Sequence, residues 1–183
     1  MQHQGTKILE TERLILRPFQ AGDDEAMFRN WASDPTVTRY LTWPAHESIQ
    51  VTQWVLNAWI GQYDQPGHYQ WAIVLKASGE PVGSIAAVNV NDSAQWVEIG
   101  YCLGKNWWRQ GIMSEALKRV MDFFFREVGV GRVQARHDPR NPGSGGVMRK
   151  CGMSFEGVLR QADRNNQGIC DAVMYSILRE EYL

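Results

Sequence analysis

The sequence predicts one mixed α/β (α+β) domain, with a mostly antiparallel twisted sheet flanked by helices. Three observations carry this. The chain has 183 residues, and domains of ~100–200 residues each make that one unit, residues 1–183. Three strand-like segments follow one another at hairpin spacing in its middle. A strand, a short loop with a glycine, a long amphipathic helix and another strand come directly after them.

Taken in order, Arg13-Leu14-Ile15-Leu16-Arg17 alternates and stops at Pro18, which reads as a first strand. Asp23 and Asp24 open a helix running to about Ser33, and Asp34-Pro35 ends it, because a residue before proline leaves the α region. Ser48 reads as the cap of a second helix with Val51, Val55, Leu56 and Trp59 on one face. Strands follow at Tyr69–Lys76, Val82–Val90 and Gln95–Leu103, joined by turns at Ser78-Gly79-Glu80 and Asn91-Asp92-Ser93. The long helix carries Met113, Ala116, Leu117, Val120, Met121 and Phe124 in one stripe, and Gly129 closes it. Val133–Arg136 is a short strand. Asn141 and Pro142 form a capped helix start, and that helix ends at Cys151-Gly152. Phe155–Gln161 and Ala172–Leu178 are the last two strands. The order is β-α-α-β-β-β-α-β-α-β-β.

Composition narrows the function. A chain of this length buries about 70% of its unfolded surface, enough for a core without staples. Lysine and arginine number 19 against 20 acidic residues, which argues against a nucleic-acid binder. No apolar run reaches the ~18 residues that a membrane span needs, and the N-terminus lacks the apolar stretch of a signal peptide. The three cysteines, Cys102, Cys151 and Cys170, form no CxxC pair and read as reduced thiols of a cytoplasmic protein. The four histidines are scattered without ligand spacing, so no metal site is expected.

The chemistry gathers at Arg109-Gln110-Gly111 and the helix start Ile112-Met113-Ser114. A first helical turn leaves about four N–H groups without partners and carries roughly half a positive charge. A pyrophosphate can accept those bonds, and the missing side chain at Gly111 lets it approach. Arg109 adds a cation and the Ser114 hydroxyl a donor. The segment is neither a Walker loop nor a GxGxxG fingerprint.

Glu98-Ile99-Gly100-Tyr101-Cys102-Leu103, followed by Trp107 to Leu117, resembles the acetyl-CoA motif of the GNAT N-acetyltransferase superfamily. Asn141-x-x-Ser144-x-x-Val147-x-x-Lys150-x-Gly152-Met153-x-Phe155 resembles that superfamily's second motif. Thr11-Glu12-Arg13-Leu14-x-Leu16-Arg17 is similar to the first strand of its ribosomal-protein (alanine/serine) N-acetyltransferase branch. The resemblance covers about residues 10–178. The superfamily's Q/R-x-x-G-x-G/A pattern falls on Trp108 to Met113, with Trp108 and Met113 departing from it. The Gly145-Gly146 pair is also unusual in a helix, at a cost of about 1 kcal/mol per glycine.

The resemblance implies a GNAT-like fold whose splayed central strand, Val97–Leu103, pairs with the pantetheine of acetyl-CoA as an added strand would. It implies a cofactor site of Ile99, Gly100, Tyr101, Leu103, Arg109, Gln110, Gly111, Ile112, Met113, Ser114, Asn141, Ser144 and Lys150. An N–H around Ile99–Tyr101 would stabilise the oxyanion. Glu98 is the first candidate base and Asp163 the second. Ser144 would donate to the leaving sulfur or bind pantetheine, with Tyr101 a third candidate. An acetyl-cysteine route through Cys102 or Cys151 would need an activated thiolate that no neighbouring histidine supplies. Trp31, Tyr40, Trp43, Trp54 and Trp59 are core aromatics, some of which could wall an acceptor groove.

The expected activity is acetyl transfer from acetyl-CoA to a primary amine, most simply a protein or peptide α-amino group. Small amines such as polyamines, amino acids or antibiotics are the alternative within the class. A non-catalytic acyl-CoA-binding module is the alternative outside it. Partners would be acetyl-CoA and the amine, without direct nucleic-acid or membrane contact, in a monomer or homodimer.

Overall fold

The computed structural model describes residues 1–183. Strands β1 (Leu9–Glu10) and β2 (Leu14–Arg17) lead into a helical run over 21–32 that contains α1 (Asp24–Met27). Two helices follow, α2 (Pro35–Thr38) and α3 (Ile49–Ile60). Then come the meander β3 (Gln70–Leu75), β4 (Pro81–Asn91) and β5 (Trp96–Leu103), and helix α4 (Ile112–Phe123). The chain ends with β6 (Arg132–His137), α5 (Pro142–Lys150), β7 (Ser154–Asn165), β8 (Gly168–Leu178) and α6 (Arg179–Tyr182). All eight strands join one open sheet in the order β1-β2-β3-β4-β5-β6-β8-β7. Every neighbour pair is antiparallel except β5 with β6.

Two apolar layers cover this sheet. On one face the α4 stripe (Met113, Ala116, Leu117, Val120 and Met121) packs with Tyr69, Trp71, Phe123 and Phe124. Burying each such side chain contributes about 1.5–3 kcal/mol, so this face holds most of the stability. On the other face Met27, Trp31 and Leu56 cover Ala72, Val74 and Cys102. Strand alternation sorts β3: Trp71 and Ile73 enter the first layer, while Ala72 and Val74 enter the second.

Several expectations need correction. The first helix is not uniform. It starts as a tight turn and widens over Phe28–Ala32, where the Ser33 N–H reaches back five residues to Phe28 O. Asp34 not only ends it but caps α2, its Oδ1 accepting from the Thr36 N–H at 2.8 Å. Ser48 occupies the N-cap of α3 without a side-chain capping bond. Val51 faces outward, and Thr52 is buried in its place, bonded to His46 at 2.8 Å. The final hairpin is longer than expected at both strands, because bulges at Phe155/Gly157 and Leu159/Asp163 break the alternation that marks a strand. β1 and α6 are too short to carry a period. No helix is long and apolar enough to cross a membrane.

The feature that positions the site is where the sheet opens. β5 and β6 pair only at Trp96–Arg132, Val97–Val133 and Glu98–Gln134. Beyond Glu98, β5 stays with β4 and β6 stays with β8, so the two strands part. The splay thus starts one residue after Glu98, not at Val97. A bulge in β4 at Ala87/Asn89 lies opposite this point and adds the local twist that separates them.

Candidate active site

The parting strands open a cleft of about 830 Å³. Glu98, Asp163 and Ser144 line it, and so does every proposed cofactor residue except Gln110. The Gln110 side chain turns away to donate to Asn106 O at 2.8 Å.

One wall is the start of α4. Arg109 and Gly111 both take left-handed conformations, at φ 61° and 79°. A side chain resists that conformation by about 1–2 kcal/mol, which glycine avoids. Glu115 is the first to find a carbonyl, Gly111 O at 3.0 Å, and the N–H groups from Arg109 to Ser114 donate to no backbone carbonyl. A Cβ on Gly111 would lie 3.5 Å from an Arg13 guanidinium nitrogen and 3.6 Å from Lys150 Nζ. The Arg13 charge is spent on Glu115 at 2.6 Å, and Arg13 also holds Gln110 O at 3.0 Å. The first strand therefore braces the loop. Arg109 and Lys150 join no ion pair. Free amides, two unpaired cations and a missing side chain fit a pyrophosphate. The departure at Trp108 has a local use: its indole N–H donates to Leu103 O at 2.7 Å and closes the loop onto β5.

The floor is β5 itself. Gly104 N–H donates to Val82 O at 2.8 Å, which sets the parity of the β4–β5 ladder. By alternation, the Tyr101 and Leu103 N–H groups turn away from β4 toward the gap. The Tyr101 hydroxyl donates to Ser144 O at 3.0 Å and ties β5 to α5. Burial pushes that phenol well above its usual range, so it stays protonated.

Across the gap stands the start of α5. Asn141 caps it, Oδ1 accepting from the Ser144 N–H at 3.4 Å, while Nδ2 donates to Ser144 Oγ at 3.2 Å. The Ser144 hydroxyl thus accepts from Asn141 and keeps its own proton free to donate. Gly145 has a steric reason: a Cβ there would meet His137 Nε2 at 2.5 Å. His137 Nδ1 donates to Asp138 O at 2.8 Å. Nε2 is buried without a partner.

At the head of the splay a guanidinium sits between two carboxylates. Arg136 Nη1 donates to Glu98 Oε1 at 2.7 Å, and Nε donates to Asp163 Oδ2 at 2.7 Å. Gln134 Nε2 donates to the other Glu98 oxygen at 2.9 Å. The Glu98 side chain is 5% exposed against 23% for Asp163. Both candidate bases therefore face the cleft through one shared cation. The thiols do not suit covalent catalysis. Burial pushes Cys102 and Cys151 each up to about 11, and Cys151 donates to Ser114 O at 3.4 Å.

Of the five aromatic candidates, Tyr40, Trp43 and Trp59 line the far side of the cleft. Trp31 is core, and Trp54 is exposed on the outer face of α3. The segment carrying Tyr40 and Trp43 is held by Asn166 of the β7–β8 turn. Its Nδ2 donates to Thr38 O at 2.8 Å and Trp43 O at 2.7 Å, and its N–H to Leu41 O at 3.1 Å.

Arg136, His137 and Gln70 also line the cleft without having been singled out. A signal existed for Arg136. Gln134 and Arg136 are polar at alternate positions of a strand flanked by apolar ones, which puts two polar groups on one face of a central strand. His137 and Gln70 had no such mark.

The model of the acetyltransferase (GNAT) domain matches residues 13–154. The uncharacterized N-acetyltransferase YoaA of Bacillus subtilis (strain 168) is 33% identical over 172 residues, 94% of this chain and 97% of that protein. The crystal structure of a GNAT-family acetyltransferase from Bacillus anthracis superposes with a TM-score of 0.83 at 26% identity, over 96% of this chain and 100% of that one. RimL, the ribosomal L7/L12 alpha-N-protein acetyltransferase solved with coenzyme A, shares the fold at a TM-score of 0.83 and 22% identity, over 94% and 98% of the two chains.

Proposed function

Because this chain belongs to the GNAT acetyltransferase family, we propose that it moves the acetyl group of acetyl-CoA directly onto a protein or peptide N-terminal α-amino group. Membership makes it an acetyltransferase. The observation that carries the donor is the run of free amides from Arg109 to Ser114 beside a gap in the sheet. Those amides, with Arg109 and Lys150, hold the pyrophosphate, and the open edge of β5 takes the pantetheine arm as a strand partner.

The residues divide the remaining work. The Tyr101 N–H donates to the carbonyl oxygen as it gains charge. Glu98 takes the amine proton through a water, and Asp163, nearer solvent, passes it outward. The Ser144 hydroxyl donates a hydrogen bond to the departing sulfur as the nitrogen–carbon bond forms and the carbon–sulfur bond breaks, and the thiolate then takes its proton from solvent. Two thiols raised to about 11 favour this single displacement over an acetyl-cysteine.

Two points support an α-amine acceptor. It needs about 3 kcal/mol less deprotonation near pH 7 than a lysine. RimL, of the same fold, acts on such a group by its name. Calorimetric titration with acetyl-CoA, then thiol release over a panel of peptides and small amines, tests the proposal. Wild-type protein binds, and Gly111→Trp does not. Absence of binding by the wild type overturns the donor site. Turnover confined to small amines overturns the acceptor.

A further inference from the structure

Two polar groups in the cleft are left over by this mechanism, His137 Nε2 and the Gln70 carboxamide. Gln70 is only 8% exposed, yet its carboxamide has no hydrogen-bond partner in the protein, and it lines the cleft. Its backbone is fully used: the N–H donates to Thr6 Oγ1 at 3.0 Å, and the carbonyl accepts from Tyr63 at 2.9 Å. The other buried polar groups nearby satisfy each other, Ser84 Oγ lying 3.3 Å from Cys102 Sγ. The amide atoms reach the cleft solvent, so a ligand that displaces that water must supply their partners or lose ~1–3 kcal/mol.

The register says where this amide stands. Gln70 pairs with Ala86, and Ala86 with Gly100. The carboxamide therefore borders the same groove about two strand spacings, ~9–10 Å, from the open edge of β5. Only the small side chain of Ala86 stands between. The Gln70 side chain, one hydrogen bond of about 2.9 Å and a short polar side chain on an amino acid whose α-amine is held over β5 together bridge that span. Trp59 closes the groove on the α3 side.

We propose that Gln70 is a specificity residue that reads a hydrogen-bonding side chain, hydroxyl or carboxamide, on the first residue of the acceptor. The inference rests on the α-amino reading above. A carboxamide presents a donor and an acceptor side by side, which a hydroxyl or a second carboxamide answers with both. An apolar first residue of the same shape leaves both groups buried and unpaired.

The test uses isosteric pairs on the full chain. Peptides starting with Thr or Val, and with Asn or Leu, are compared by kcat/KM, alongside threoninamide and valinamide. The wild type prefers the polar member of each pair by about 3- to 10-fold, the worth of one neutral hydrogen bond. In Gln70→Met that ratio falls to near one or inverts, while acetyl-CoA affinity stays within twofold. Gln70→Leu gives the same result should the Met variant fold poorly. A wild type that treats both members alike overturns the proposal, as does a ratio that survives in both variants. The amide pair separates the two readings. A preference seen with threoninamide while peptides fail supports Gln70 and overturns only the peptide acceptor. Turnover of none of the six amines ends the proposal, and acetyl-CoA binding then reports whether the donor site survives.

Discussion

Arg136→Met is the most informative single change. It removes the guanidinium that bridges Glu98 and Asp163 but keeps a chain of similar bulk. Glu98 suffers most: its side chain is 5% exposed and Oε1 loses its donor, leaving only Gln134 on the other oxygen. Breaking a buried ion pair from one side costs about 3–5 kcal/mol. Arg136 is 33% exposed, so water can reach part of the vacated space, and the cost falls to about 2–3 kcal/mol. For a chain of this size each kcal/mol moves Tm by about 2–4 °C, so the variant should melt roughly 4–12 °C lower. Glu98→Gln removes the stranded charge, and the double variant should regain more than half of the loss. Urea unfolding of the four proteins closes the cycle. A loss below about 1 kcal/mol, or effects that simply add, would refute the argument that the two groups are held as a buried unit.

Gly145→Ala pushes a methyl to 2.5 Å from His137 Nε2 and should cost about 1–3 kcal/mol by overpacking, relieved when His137→Ala is added; thermal melts decide it. Hydrogen bonds from Arg132 hold the Glu156 carboxyl at about 2, below its ordinary 4.5. The folded state thus resists its protonation, and this stabilisation is present above pH 4.5 and lost as pH falls toward 2. With Glu156 40% exposed, the pair contributes at most about 1 kcal/mol. Stability followed between pH 5 and 2 should fall less steeply in Glu156→Gln. Cys151→Ala should retain turnover, because a thiol raised to about 11 carries no acetyl group; an acetyl adduct trapped on that sulfur in the wild type, seen by mass spectrometry, would contradict this.

Elements whose amphipathic period is long are legible in the sequence. The α4 stripe is buried as read, and Asn141-Pro142 opens α5 as its residue types require. The loop at Gly111 was legible too, because a helix start has open amides by construction. What escaped depends on which neighbour a residue meets. The point at which β5 leaves β6 is set by a bulge in β4, a third strand. Arg136 looked like one charge among many until β5 and β7 brought Glu98 and Asp163 to it. Gly145 looked like a weak point in a helix and proved to be the space that His137 occupies. In the last hairpin, the bulges hid strand length by shifting the polar period midway.

The turn between β7 and β8 begins with an asparagine that clasps three carbonyls of the segment carrying Tyr40 and Trp43. On the proposed reading, in which this segment walls the acceptor groove, selectivity for the amine is therefore not a portable module. A chimera that grafts residues 38–43 from a relative would leave the receiving Asn166 reaching for carbonyls that have moved. The two stretches, more than 120 positions apart in sequence, must be exchanged together for a new acceptor preference to travel with them.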